Sequence, residues 1–192
     1  MFFLNPRHGL GVYFLNDEIG FFSHKRFSLQ YAYRLKMFGG LLGIGVEGDF
    51  LSETFDGSKV DLNDSNDPAI PTSSVNGSKI DASAGLYFQR NNFYLGASAL
   101  HLSAPTVTMG ENNQIAIKRT YYLTSGYNIK LRNPFLSIHP SALGMYDGTE
   151  WKAYVSGRVE YANDNKMLFG GASYSPTNSV ALFVGGKFHG VV

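Results

Sequence analysis

His139 and Ser141 stand two positions apart in the run Ile138-His139-Pro140-Ser141, a spacing that puts both side chains on one face of a strand. A hydroxyl beside an imidazole is half of a nucleophile–base arrangement, and it becomes a hydrolase only when a third group orients the imidazole. No sequence feature supplies an orienting acid, and His8, His24, His101 and His189 are scattered without helical pairing. The sequence is therefore read as a non-enzyme with no catalytic residues. Asp61-Leu62-Asn63-Asp64-Ser65-Asn66-Asp67 offers oxygen ligands at alternate positions, like the start of a calcium loop. Such a loop needs glycine at its sixth position and glutamate at its twelfth, where this chain has Asn66 and Thr72. The run reads instead as a solvated loop, with Asp61, Asn63, Asp64, Asp67 and Pro68 as candidate contacts to a partner. No metal or cofactor is expected.

A third set of residues shares faces rather than a motif: Glu47, Asp49, Asp81, Lys118, Glu150, Lys152, Arg158 and Glu160. Each lies on the polar side of a segment that alternates with apolar residues. Charges of mixed sign can pair across an interior and fill it, because an unpaired buried charge is expensive. They could also line a water-filled pore. A packed interior is the favoured reading, since channel-forming porins use roughly 16–18 strands and this chain has about ten strand-like segments.

The segment that positions the last four of these charges is the clearest element of the sequence. From Thr149 to Tyr161, Trp151, Ala153, Val155, Gly157, Val159 and Tyr161 occupy one face, and Glu150, Lys152, Tyr154, Ser156, Arg158 and Glu160 the other. At about 3.3 Å per residue the run is about 40 Å long, more than most strands of soluble domains. Nine further segments alternate in the same way: 8–16, 21–36, 41–50, 80–89, 93–102, 114–131, 135–146, 166–174 and 179–188. Short turns are expected at Asn16-Asp17-Glu18, Phe38-Gly39-Gly40, Arg90-Asn91-Asn92, Arg132-Asn133-Pro134 and Asp147-Gly148, the last a hairpin signal. Two polar stretches, 51–79 and 103–113, read as long loops. Both follow odd-numbered segments, while the turns after even-numbered segments are short. Outer-membrane barrels show this asymmetry, with long external loops and short periplasmic turns.

Composition agrees. Charged residues make up 16% and aromatic residues 15%, with 15 Phe, 12 Tyr and 22 Gly. Glycine inside strands weakens a soluble sheet but serves the bends and close packing of a curved wall. The net charge of +1 carries no footprint for nucleic acid. The absence of cysteine excludes disulfides and thiolate chemistry. No run approaches 18 apolar residues, so no transmembrane helix is present. The expected fold is all-β: one domain over residues 1–192, an antiparallel up-and-down transmembrane β-barrel of about ten strands, or part of a larger one. A soluble sandwich or lipocalin-like barrel would also alternate, but strand length, aromatic abundance and glycine in strands favour the membrane.

Several phrases carry a resemblance: Ala84-Gly85-Leu86-Tyr87-Phe88, the strand Phe93 to Leu102, Tyr121-Tyr122-Leu123-Thr124-Ser125-Gly126-Tyr127, Ile138-His139-Pro140-Ser141 and Leu168-Phe169-Gly170-Gly171-Ala172-Ser173-Tyr174. Upstream, Tyr31-Ala32-Tyr33-Arg34-Leu35, Gly43-Ile44-Gly45-Val46 and Asp67-Pro68 fit as well. In order and spacing they resemble the PorP/SprF family of type IX secretion system membrane proteins. The resemblance implies a protein of the outer membrane of a Gram-negative bacterium, surrounded by lipid. It implies a role in export or surface attachment of cargo, gliding-motility adhesins included, with the cargo's C-terminal domain and type IX secretion components as partners. The start, Met-Phe-Phe-Leu-Asn-Pro-Arg-His, lacks the charged and apolar regions of a signal peptide, so the chain is read as an N-terminally shortened member. A passive small-solute porin is the alternative function, and a barrel enzyme a more distant one.

Overall fold

The structure is a computed structural model, and it describes residues 2–5, 7–57, 73–109, 113–163, 166–176 and 179–188. The strands are β1 (Phe2–Asn5), β2 (His8–Ile19), β3 (Phe22–Met37), β4 (Gly40–Asp56), β5 (Ser74–Arg90), β6 (Phe93–Leu100), β7 (Thr106–Met109), β8 (Asn113–Ala116), β9 (Thr120–Tyr127), β10 (Ile129–Lys130), β11 (Leu136–Tyr146), β12 (Trp151–Asn163), β13 (Lys166–Ser175) and β14 (Ser179–Phe188). One sheet runs in the order β1-β2-β3-β4-β5-β6-β9-β11-β12-β13-β14, with β10 beside β11, and β7 and β8 form a separate hairpin. The chain is thus an all-β, antiparallel, up-and-down meander, as its alternation indicates. No helix among the described residues is long and apolar enough to cross a membrane.

Local chemistry places most turns where the sequence puts them. Phe38 and Gly39 both take positive φ, 54° and 72°, the geometry of a two-residue hairpin turn. Asp147 Oδ1 accepts hydrogen bonds from the backbone N–H of Thr149 (3.0 Å) and Glu150 (2.9 Å), and Gly148 follows at φ 84°. The first turn is a correction. It lies at Gly20-Phe21, with Gly20 at φ 60°, not at residues 16–18; the ladder continues through Asp17↔His24 and Ile19↔Phe22. Asn, Asp and Glu in sequence suggested a turn, but glycine is what the left-handed residue demands.

The first expected loop shrinks, and the second widens and holds a hairpin. Residues 51–56 extend β4, and 74–79 begin β5. Alternation persists there in polar guise, with Leu51 and Glu53 buried between less buried neighbours. Within 103–113, residues Thr106–Met109 pair with Asn113–Ala116, Val107 opposite Ile115. The long strand expected over 114–131 is therefore three pieces, β8, β9 and β10.

The chain groups into two compact units. Unit 1 comprises Met1–Arg34, Ile44–Gly85 and Ala99–Arg119, and unit 2 comprises Leu35–Gly43, Leu86–Ser98 and Thr120–Val192. The distribution of polarity in both is the reverse of a soluble domain's. Among the described residues the buried apolar side chains are Leu51, Val107 and Met109, all in unit 1, while Ser28, Asp49, Glu53, Asp81, Ser83 and Ser175 are buried polar ones. Ile80, Trp151, Leu182 and Val184 are more than two-thirds exposed, at 78%, 72%, 83% and 87%. In β12 the face of Trp151, Val155 and Val159 is exposed and that of Lys152, Ser156, Arg158 and Glu160 half-buried.

Candidate functional site

Unit 1 carries the denser polar cluster. On β3, His24, Arg26, Ser28 and Gln30 lie at alternate positions of one face, opposite Glu47, Asp49 and Glu53 of β4. Arg26 donates to Asp49 Oδ1 through Nε (2.9 Å) and to Glu47 Oε1 through an Nη (2.5 Å). Ser28 Oγ donates to the same Asp49 oxygen at 2.5 Å. Gln30 donates to Glu47, and His24 pairs with Glu53. The Asp49 side chain has no exposed surface and that of Arg26 only 18%. A lone charge in such a place would be very costly, so the arginine fork is what makes the burial tolerable.

Asp81 on β5 has a different task. Its Oδ2 accepts from His101 Nδ1 at 2.5 Å and its Oδ1 from Ser103 Oγ at 2.6 Å, with backbone N–H groups of Ala82 (2.8 Å) and Ser103 (3.3 Å) adding to Oδ1. The carboxylate therefore ties down the start of the 101–119 connection, where His101 and Ala104 both take left-handed φ of 56° and 45°. That connection folds back as the β7–β8 hairpin. Val107 and Met109 are buried in unit 1, and the backbone oxygen of Thr108 and the side chain of Val107 occupy the space that a side chain at Gly77 would need. Glycine at 77 is thus required by the close approach of the hairpin to β5.

The other expected charges separate. Lys118 lies outside the strands, between β8 and β9, and is exposed. Glu150 is exposed in the turn before β12, because the Asp147 turn occupies 147–150. Lys152 stands opposite Met145. Arg158 and Glu160 bond each other at 3.2 Å, and the Arg158 guanidinium lies 5.6 Å from the Phe169 ring centre, within cation–π range. The candidate partner residues Asp61, Asn63, Asp64, Asp67 and Pro68 lie outside the described residues.

In unit 2 His139 is not bonded to Ser141. Its Nδ1 meets Asn128 Oδ1 at 2.7 Å and its Nε2 meets Ser137 Oγ at 2.8 Å. Glu160 Oε2 is 3.9 Å from Nε2. Ser141 stands opposite Ser156, whose hydroxyl bonds Ser173. Sequence reasoning missed Ser137 and Asn128. Ser137 has the same two-residue spacing from His139 on its other side and could have been found; Asn128 needs the strand register. Aromatic rings in this unit lie over glycines: Tyr94 over Gly126, Phe183 over Gly171 and Phe169 over Gly185. Such ring-on-glycine packing explains why glycine recurs within these strands.

No group of three or more metal-ligating side chains occurs among the described residues. No curated protein matches the chain significantly. The family model described as "Type IX secretion system membrane protein PorP/SprF" matches residues 1–192. A match over that span, on an antiparallel meander with its polar side chains buried, assigns the chain: it belongs to the PorP/SprF family of type IX secretion system membrane proteins.

Proposed function

We propose that this chain is an outer-membrane β-barrel accessory of type IX secretion that supports export or surface attachment of cargo by protein–protein recognition. The observation that carries the membrane part is the inverted burial, with apolar faces exposed and polar faces buried. Fully exposing one large apolar side chain forfeits about 1.5–3 kcal/mol of burial, so many of them in register call for a lipid solvent. Unit 2 also carries a length gauge. Tyr146 stacks on Trp151 at 4.7 Å and lies 6.4 Å from Tyr121, a row of aromatics at one end of β9, β11 and β12. Phe135 and Tyr161, 5.9 Å apart, sit at the other end of β12. Trp151 and Tyr161 are ten residue steps apart, about 33 Å along the strand. A tilt of about 40° leaves about 25 Å, the height of the apolar band between aromatic girdles in outer-membrane barrels.

Cargo recognition is assigned to the long connections 57–73 and 101–119, because loops on a rigid scaffold commonly carry binding. In an up-and-down sheet the β4–β5 and β6–β9 connections leave their strands at the same end. The partners are the C-terminal domain of a secreted cargo and other type IX secretion components. A conducting porin is disfavoured by the Arg26–Glu47–Asp49 network, whose charges are paired with one another rather than left to line water. The test is deletion of residues 58–72 in the secreting organism, with surface display of individual cargoes quantified. Normal membrane insertion with loss of one cargo class is the expected result. Unchanged display of every cargo would refute loop recognition.

A further inference from the structure

Pro140 sits in the interior of β11, where it cannot donate a ladder hydrogen bond. On the β12 side pairing runs unbroken through Pro140↔Gly157. On the other side the partner strand divides into β9 and β10. Gly126↔Ser141 and Ile129↔Ile138 keep one register across the gap, so residue 128 falls opposite residue 139. The N–H of Asn128 turns away from β11 and donates to Asn92 O at 2.8 Å. Asn128 and His139 therefore form a non-hydrogen-bonded pair, the kind in which facing side chains come closest. This places the Asn128 carboxamide oxygen 2.7 Å from His139 Nδ1.

The tautomer follows from these partners. The arrangement that suits Asn128 Oδ1, an acceptor, has the proton on Nδ1. In that tautomer Nε2 presents its lone pair to Ser137 Oγ at 2.8 Å. Serine, imidazole and an orienting group stand in the order that nucleophilic catalysis requires, with an amide in the orienting place. The group is reachable, since the His139 side chain keeps 19% of its surface exposed, and Ser137 is the second residue of β11, beside the 131–135 connection. Lys130 stands opposite Ser137 on one side and Glu160 on the other. Cross-strand partners share a face, so a cation and a carboxylate flank Ser137 on that face.

We propose that Ser137, His139 and Asn128 form a hydrolytic site for carboxylic esters, an activity additional to cargo recognition and independent of it. Ser137 Oγ attacks the ester carbonyl carbon while its proton passes to His139 Nε2, and the carbonyl electron pair moves to oxygen. Collapse of this adduct breaks the ester C–O bond, and the leaving alkoxide takes the proton from Nε2. Water then adds to the acyl-serine, giving its proton to His139. The carboxylic acid is released, and the proton returns to Ser137 Oγ. Asn128 is the positioning residue that holds the ring and its tautomer.

The test uses the full chain folded in outer-membrane vesicles and a fluorophosphonate probe, with the modified peptide identified by mass. The expected adduct is on Ser137, absent in Ser137→Ala and reduced at least 100-fold in His139→Gln. Ser141→Ala should label like the parent. Asn128→Leu should lose labelling and Asn128→Asp, which keeps an acceptor for Nδ1–H, should retain it; a purely structural role for Asn128 would not give that rescue. Hydrolysis of p-nitrophenyl butyrate should follow the same order. No adduct on Ser137 in the folded parent, or labelling indifferent to His139, would overturn the proposal.

Discussion

The wholly buried carboxylate of Asp81 accepts a hydrogen bond from His101 Nδ1 at 2.5 Å, and His101 is a left-handed residue, φ 56°, at which the chain leaves β6. One side chain on β5 thus fixes the departure of the connection that carries the hairpin. Replacing Asp81 by Ala leaves His101 without its acceptor and Ser103 Oγ with only the 3.4 Å contact to Ile80 O, at a cost of roughly 2–3 kcal/mol. Asp81→Asn keeps an acceptor for Ser103 but turns an amide donor towards His101, and should lose less. Urea titration of the refolded chain measures both, and limited proteolysis should cut Asp81→Ala first within 101–119.

Arg26 answers for two carboxylates at once. Arg26→Met should destabilise the chain by roughly 3–5 kcal/mol, because Glu47 and Asp49 are left buried without a cation. Adding Asp49→Asn and Glu47→Gln to that variant removes the orphaned charges and should recover most of the loss. The comparison of the three unfolding midpoints reads the network as a unit, since its members are not additive.

Gly77→Leu probes the hairpin. A side chain at 77 meets the Thr108 backbone oxygen and, at 2.8 Å, Val107 Cγ1, so β7–β8 must move while the strand ladder of β5 need not. The expected result is faster proteolysis between 104 and 117 and raised single-channel conductance in planar bilayers, with the spectroscopic β content unchanged. Unchanged conductance would mean that the hairpin does not obstruct a path.

The two faces of β12 should differ in what they tolerate. Val155→Arg puts a charge on the exposed apolar face midway between Trp151 and Tyr161 and should cost about 2–4 kcal/mol in lipid, as expected near a bilayer midplane. Ser156→Arg, one residue away on the polar face, should cost much less. Refolding into vesicles at graded urea measures both.

How far the sequence carries is seen in particular residues. Strict alternation from Trp151 to Tyr161 marked β12, and the glycines at 39 and 148 marked their turns, because these signals are local. Leu51, Glu53 and Val75–Gly77 escaped notice as strand because their alternation is polar, and hydrophobic periodicity cannot register it. The β7–β8 hairpin was hidden for another reason. Gln114 to Ile117 alternates in phase with β9, and it is the pairing of β8 with β7 that sets the two apart. The charges at 118 and 150 looked like wall residues by phase, yet a gap between strands and an Asp-led turn hold them outside it. The grouping of Asn128 with His139 was beyond local reading, since it depends on cross-strand register and on the N–H that Pro140 lacks. The family assignment, by contrast, was legible from ordered phrases along the chain.

The central claim is that the apolar face of these strands meets lipid and the polar face does not. The chain has no cysteine, so single cysteines at 153, 155, 156, 158 and 159 can carry a nitroxide without background. The most direct measurement is collision of each label with oxygen and with a water-soluble nickel chelate in reconstituted vesicles. The account predicts high oxygen and low chelate accessibility at 153, 155 and 159, with oxygen accessibility lower at 156 and 158, on the polar face. Chelate accessibility at 155 and 159 as high as that of a soluble exposed strand would contradict it.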